Sequence, residues 1–141
     1  MNELEILKLK NQGYCCSQIM VKMILDLMDR ENPCLVDFSR GLCMGAGRAD
    51  GPCGIFTAGM GILAMMARDK KEILPLLQEA WVDFFDNAVP DPGQTACQEI
   101  SGQFYPQPDL RTCGTLLDQS FSALMALLQE NELDPQDYPE D

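Results

Sequence analysis

The 141-residue chain reads as an all-α, single-domain helical bundle of four to six helices with a glycine-rich loop. Three observations predict this class. Apolar residues recur at helical spacing in several stretches, strand-like alternation is hard to find, and proline- or glycine-containing breaks separate the periodic segments. Hydrophobic residues at 46% and charged residues at 23% match an ordinary globular domain with a sizeable core.

Residues 3–11 form a first short helix, ending at Gly13. In the next, Cys16, Ile19, Met20, Met23, Ile24 and Leu27 fall at i, i+3, i+4, i+7, i+8 and i+11, one continuous apolar stripe. Glu31-Asn32-Pro33 stops it. Cys34 follows the proline in a loop, and glycines 41, 45, 47 and 51 continue that loop. Pro52 sits where a first helical turn tolerates proline. The helix from there to about Arg68 carries Ala58, Gly59, Gly61 and Ala64, small residues that let neighbours approach. Lys70 to Asp86 is amphipathic, with Pro75 near its start and Leu74, Leu77, Trp81 and Phe84 on one side. Pro90-Asp91-Pro92-Gly93 is a turn. Cys97 to Ser101 is a short helical piece, and Tyr105-Pro106-Gln107-Pro108 is extended loop. The last helix runs from about Arg111 to Gln129, with Leu117, Phe121, Leu124 and Leu128 as its stripe. Residues 1–129 make up the domain. Residues 130–141, with six acidic residues and no basic ones, form a flexible acidic tail.

Charge and composition narrow the function. A net charge of -12 repels nucleic acid and anionic membrane surfaces, and it suits a basic partner. The charged start, MNELEILKLKNQ, lacks the features of a signal peptide, and the run from Ile55 to Ala67 is too short to span a bilayer. The expected location is the cytoplasm. With no histidine, Ser-His-Asp and Cys-His catalysis, histidine-ligated haem and mixed Cys/His zinc sites are excluded.

The chemistry must therefore run largely on sulfur. The seven cysteines are Cys15, Cys16, Cys34, Cys43, Cys53, Cys97 and Cys113. In a reducing cytosol clustered cysteines serve as metal ligands, redox thiols or core filler more often than as a disulfide framework. No C-x-x-C pair is present, which argues against a zinc ribbon, a thioredoxin-type dithiol or bacterial ferredoxin spacing. A four-cysteine site would have to be assembled from distant segments.

Cys16, Cys53 and Cys113 each fall in the first turn of a predicted helix, and Cys97 does so in a shorter one. Helix N-termini carry partial positive charge and amide donors, so a thiolate there is expected to be stabilised and its pKa lowered. Cys16 and Cys113 head apolar stripes. Cys15 is turned about 100° away, on the side of Gln18, Lys22 and Asp26, so Cys16 is the better placed to reach an interior site. The Gly41–Gly51 stretch resembles a phosphate loop in composition, but it lacks the Gly-Lys-Ser/Thr ending and follows no strand. Its glycines let backbone pass close to the site, and Arg48 is placed to pair with an acidic group or to offset a bound anion.

Four ordered segments resemble the C_GCAxxG_C_C family of small, redox-active cysteine-motif proteins. Gly13-Tyr14-Cys15-Cys16-Ser17-Gln18 is similar to the family's Gly-Tyr-Asn-Cys-Ala-Gln opening. Gly51-Pro52-Cys53-Gly54-Ile55-Phe56-Thr57-Ala58-Gly59, with the glycine loop before it, is similar to its Cys-Gly-Ala-Leu-Thr-Gly helix start. Cys97-Gln98-Glu99-Ile100-Ser101-Gly102 matches a Cys-x-Glu-Leu-x-Gly segment, and Thr112-Cys113-Gly114 fits the last cysteine. The resemblance covers roughly residues 12 to 128. It implies that Cys16, Cys53, Cys97 and Cys113 form the shared set. Related segments in split-Soret cytochromes suggest an iron–sulfur centre; their haem does not carry over, because no C-x-x-C-H site exists here. Cys15 stands where asparagine is common, Cys43 is an extra cysteine in the glycine run, and a literal Gly-Cys-Ala-x-x-Gly is absent.

The expectation is an iron–sulfur cluster held by Cys16, Cys53, Cys97 and Cys113 for electron transfer to a basic redox partner. A homodimer with a cluster across its two-fold axis is one form this could take. One alternative is a metal-free thiol–disulfide protein, with Cys16–Cys53 or Cys43–Cys53 as candidate pairs. Another is a four-cysteine zinc site or a purely structural bundle.

Overall fold

The computed structural model describes residues 2–102 and 110–139. Among these the fold is all-helical. Six helices have eight or more residues: α1 (Glu3–Asn11), α2 (Cys16–Leu27), α3 (Pro33–Arg40), α5 (Gly54–Met66), α6 (Leu74–Ala88) and α8 (Leu110–Glu130). Two short pieces, α4 (Cys43–Ala46) and α7 (Cys97–Ser101), lie between them. The expected bundle of four to six helices corresponds to the six longer ones. The Tyr105–Pro108 segment lies outside the described residues.

The core is built where α2, α5, α6 and α8 meet. Ile19, Met20, Ile24, Ile55, Leu63, Leu77, Trp81, Phe85, Leu117 and Leu124 are fully buried there. Each large apolar side chain removed from water stabilises the fold by about 1.5–3 kcal/mol. Helix α2 is buried on nearly every side, Val21 and Leu25 included, whereas Leu27, the last residue of its predicted stripe, is exposed. On α6 the deepest positions are Leu77, Trp81 and Phe85, one residue beyond the expected Phe84. The Trp81 ring lies against Gly59 of α5, where a Cβ would enter the ring, and its Nε1–H donates to the Phe56 carbonyl at 3.0 Å. The small-residue helix thus receives the largest side chain of its neighbour.

Two boundaries differ from the sequence expectation. Pro33 does more than end α2: it occupies the first turn of α3, whose N-cap Asn32 accepts from the Leu35 amide at 3.1 Å. Asparagine followed by proline is a helix start, since proline needs no amide partner in the first turn. Cys34 therefore stands in the first turn of an exposed helix and not in a loop. Pro52 lies before α5, paired in a single antiparallel bridge with Ala96, and Cys53 is the N-cap.

Residues near both ends of the described chain pack onto the bundle. Asn2 anchors α1 to α8, its amide and side chain both donating to Asp118 at 3.0 Å. Beyond residue 129, the segment expected to be flexible buries Leu133 and places the Tyr138 ring between Arg30 and Arg68. No helix among the described residues is long and apolar enough to cross a membrane.

Candidate functional site

Four helices begin around one cavity of about 290 Å³. Cys16 is the first residue of α2, Cys53 the N-cap of α5, Cys97 the first residue of α7, and Cys113 lies in the first turn of α8. All four line the cavity, and so do Cys15, Cys43, Met44, Ile100, Ser101 and Lys10. The four cysteines expected to act together are thus brought together by the fold. Cys34 is remote and exposed.

Backbone hydrogen bonds set two of the four. The Cys53 amide donates to the Thr95 carbonyl at 3.1 Å, the Cys97 amide to Gly51 at 2.9 Å, and the Gln98 amide to Ala49 at 3.1 Å. These bonds zip the segment before α5 to the segment before α7, so Cys53 and Cys97 are located by main chain. They also occupy the first amides of α7 with protein carbonyls.

The glycine run closes one side with a left-handed turn. Met44, Gly45, Ala46 and Gly47 all have positive φ (57°, 66°, 57° and 87°). For Met44 and Ala46 that conformation costs about 1–2 kcal/mol each. Gly45 allows the close approach that the turn creates: a Cβ there would meet the Gly51 carbonyl at 2.9 Å and the Cys97 Cβ at 3.3 Å. Glycine here does bring backbone against the site, as its spacing suggested. Arg48 pairs with Asp50 at 3.1 Å on the exposed side, a contact of little energetic weight.

The expected lowering of the thiol pKa values is overturned. Cys16 is raised well above 9.0, first by its hydrogen bond with Cys113, then by burial, then by the nearby Cys113 and Cys53. Burial pushes Cys53 up to about 12, with Cys113 and Cys97 adding to the rise; the amides of Ile55 and Phe56 work in the opposite direction. Cys97 is raised by burial and by Cys113, and the Ser101 hydroxyl opposes the rise. Helix-terminal amides do act on Cys53. Withdrawing several like-charged groups from water into one cavity outweighs them.

Cys15 and Cys43 are joined by a disulfide. Neither candidate pair, Cys16–Cys53 or Cys43–Cys53, is bonded. Cys15, expected to face away from the interior site, lines the same cavity as Cys16 and bonds to Cys43 there. Buried polar residues hold the surroundings in place. The Ser17 hydroxyl donates to the Ser39 carbonyl at 2.8 Å and lies 2.7 Å from the Cys43 sulfur. Gln18 donates to the Val36 carbonyl at 3.2 Å and accepts from the Cys15 amide at 3.2 Å.

Lys10 is the cavity residue that the sequence reading did not single out. Its signal was its place on α1: Ile6, Leu9 and Lys10 fall at i, i+3 and i+4, and the first two are buried. No group of three or more His, Cys, Asp or Glu side chains among the described residues is arranged to hold a metal ion.

A family model described as "Putative redox-active protein (C_GCAxxG_C_C)" matches residues 14–127. No curated protein and no solved structure matches the chain.

Proposed function

The chain belongs to the C_GCAxxG_C_C family of redox-active proteins, and we propose that it transfers electrons through an iron–sulfur cluster held by Cys16, Cys53, Cys97 and Cys113. The observation that carries this reading is the convergence of four thiols, each from a different helix start, on one cavity. The thiols fit such a group chemically. Their mutual proximity and burial oppose thiolate formation, and bound iron would supply compensating positive charge. Four thiolates suit either a [2Fe–2S] or a [4Fe–4S] centre.

When bound, such a cluster supplies one-electron transfer. The protein's part is to hold and tune it. The backbone zipper fixes Cys53 and Cys97. The Ile55 and Phe56 amides and the Ser101 hydroxyl favour charge on the Cys53 and Cys97 sulfurs, and hydrogen bonds of this kind tune reduction potential. The acidic surface, net -12, suits docking on a basic partner in the cytoplasm.

One observation favours a second reading. The Cys15–Cys43 disulfide opens onto the same cavity, and in a reducing cytosol such bonds are characteristically catalytic or redox-sensing. A dithiol reductant would supply two electrons and two protons, leaving two thiols here and a disulfide on the donor.

The deciding experiment is the visible spectrum of anaerobically purified protein, with iron, sulfide and zinc assayed on the same sample. Brown protein with matching iron and sulfide, bleached by Cys113→Ser, is expected. Stoichiometric zinc, or no metal at all, would overturn the cluster reading; metal-free protein that reversibly gains two hydrogens on reduction would support the second.

A further inference from the structure

The ammonium of Lys10 is withdrawn from solvent and has no hydrogen-bond partner. No ion pair reaches it among the described residues. A buried charge without a partner is costly. Lys8, two residues earlier on α1, is exposed and can serve the helix C-terminus from the surface. Lys10 instead lines the cysteine cavity, together with Cys16, Cys53, Cys97 and Cys113. Its placement is built. Asn2 pins the start of α1 to Asp118 and Ser122 of α8, Ile6 and Leu9 bury the helix face, and Lys10 lines a hollow shared with Gly114, the residue after Cys113 in sequence.

We propose that Lys10 is a positioning residue of the cysteine cavity, its ammonium offsetting the negative charge that gathers beside Cys16 when the cavity is loaded. This rests on the reading of the cavity as a thiolate-held redox site. It adds a cation outside the cysteine motif, delivered by a helix that lies before the matched family segment.

The test has a metal-free arm. After removal of metal, alkylation of Cys16 by anionic iodoacetate and by neutral iodoacetamide is followed by peptide mass spectrometry at a single pH. The ratio of the two rates cancels the thiolate fraction and reads the local charge. Wild-type protein should exceed Lys10→Met by roughly tenfold in this ratio. Lys10→Arg should retain the high ratio, and exposed Cys34 should show no change in any variant. An unchanged ratio at Cys16 in folded Lys10→Met overturns the proposal. In loaded protein, Lys10→Met should lower the midpoint potential while Lys10→Arg preserves it, and equal potentials in wild type and Lys10→Met would likewise overturn it. Protein that never acquires colour would sink the cluster reading, while the alkylation ratio would still decide the role of Lys10.

Discussion

The middle of the bundle and the end where four of its helices begin are held together by different means. In the middle, Trp81, Phe85, Ile24 and Leu63 interlock at full burial, and stability comes from apolar area and close packing. At the cysteine end the parts are small or polar: thiols, Gly45 against Gly51, Ser17, Gln18 and backbone bonds between two loops. The core is where the fold gains its free energy. The cysteine end carries two features that oppose folding, namely a left-handed turn and an unpartnered ammonium. Strain and unsatisfied groups gathered in one place mark a site shaped for something other than stability.

The contrast can be broken most forcefully from the core side. Trp81→Ala should cost about 3–5 kcal/mol in chemical denaturation, with both regions lost in one transition. Replacing Cys43 by Ser removes the disulfide, which should lower stability by about 2–4 kcal/mol under oxidising conditions and by much less with reductant present. Gly45→Ala should cost about 1–3 kcal/mol from the positive φ and the clash, and it should reduce metal loading out of proportion to that loss. A pH series on metal-free protein sharpens the contrast further. The unfolded chain ionises its cysteines near 9.0, while folded Cys53 holds its proton to about 12. The stability from the protonated site is therefore complete below about pH 9 and declines as pH rises towards 12. The decline should shrink in a Cys53→Ser variant, the raised thiols of Cys16 and Cys97 accounting for what remains. Least of all, Cys34→Ser should shift stability by no more than about 0.5 kcal/mol and leave metal content unchanged, because that side chain is exposed and remote.

Much of the fold was legible because long helices with one apolar face leave a periodic trace. The limits of α1 and α7 and the stripe of α8 follow directly from it. Helix α3 leaves a weaker trace, because Asn32-Pro33 reads as a stop although that pair also begins helices. That Cys16, Cys53, Cys97 and Cys113 would line one cavity was legible from position, each near a helix start after a break; that Cys15 and Cys43 line it too was not. The direction of the pKa shifts was not. Helix-end amides are a local property of sequence, whereas desolvation and crowding exist only once distant segments meet. The Cys15–Cys43 bond escaped for the same reason, since it depends on how the left-handed turn at 44–47 brings the loop back to α2.

The site's four thiols come from segments spread between residues 16 and 113, and this has a consequence for how the protein is made. No short stretch of the nascent chain holds even two of them at the right distance, so each loop must close before its sulfur arrives. The cavity is thus among the last features to form, after the non-local contacts that also limit folding speed. Metal met earlier would bridge whichever sulfurs lie near one another along the chain, the adjacent Cys15 and Cys16 foremost. Maturation is therefore expected to run in one order, with the bundle closed first and its cargo delivered to an assembled receptacle.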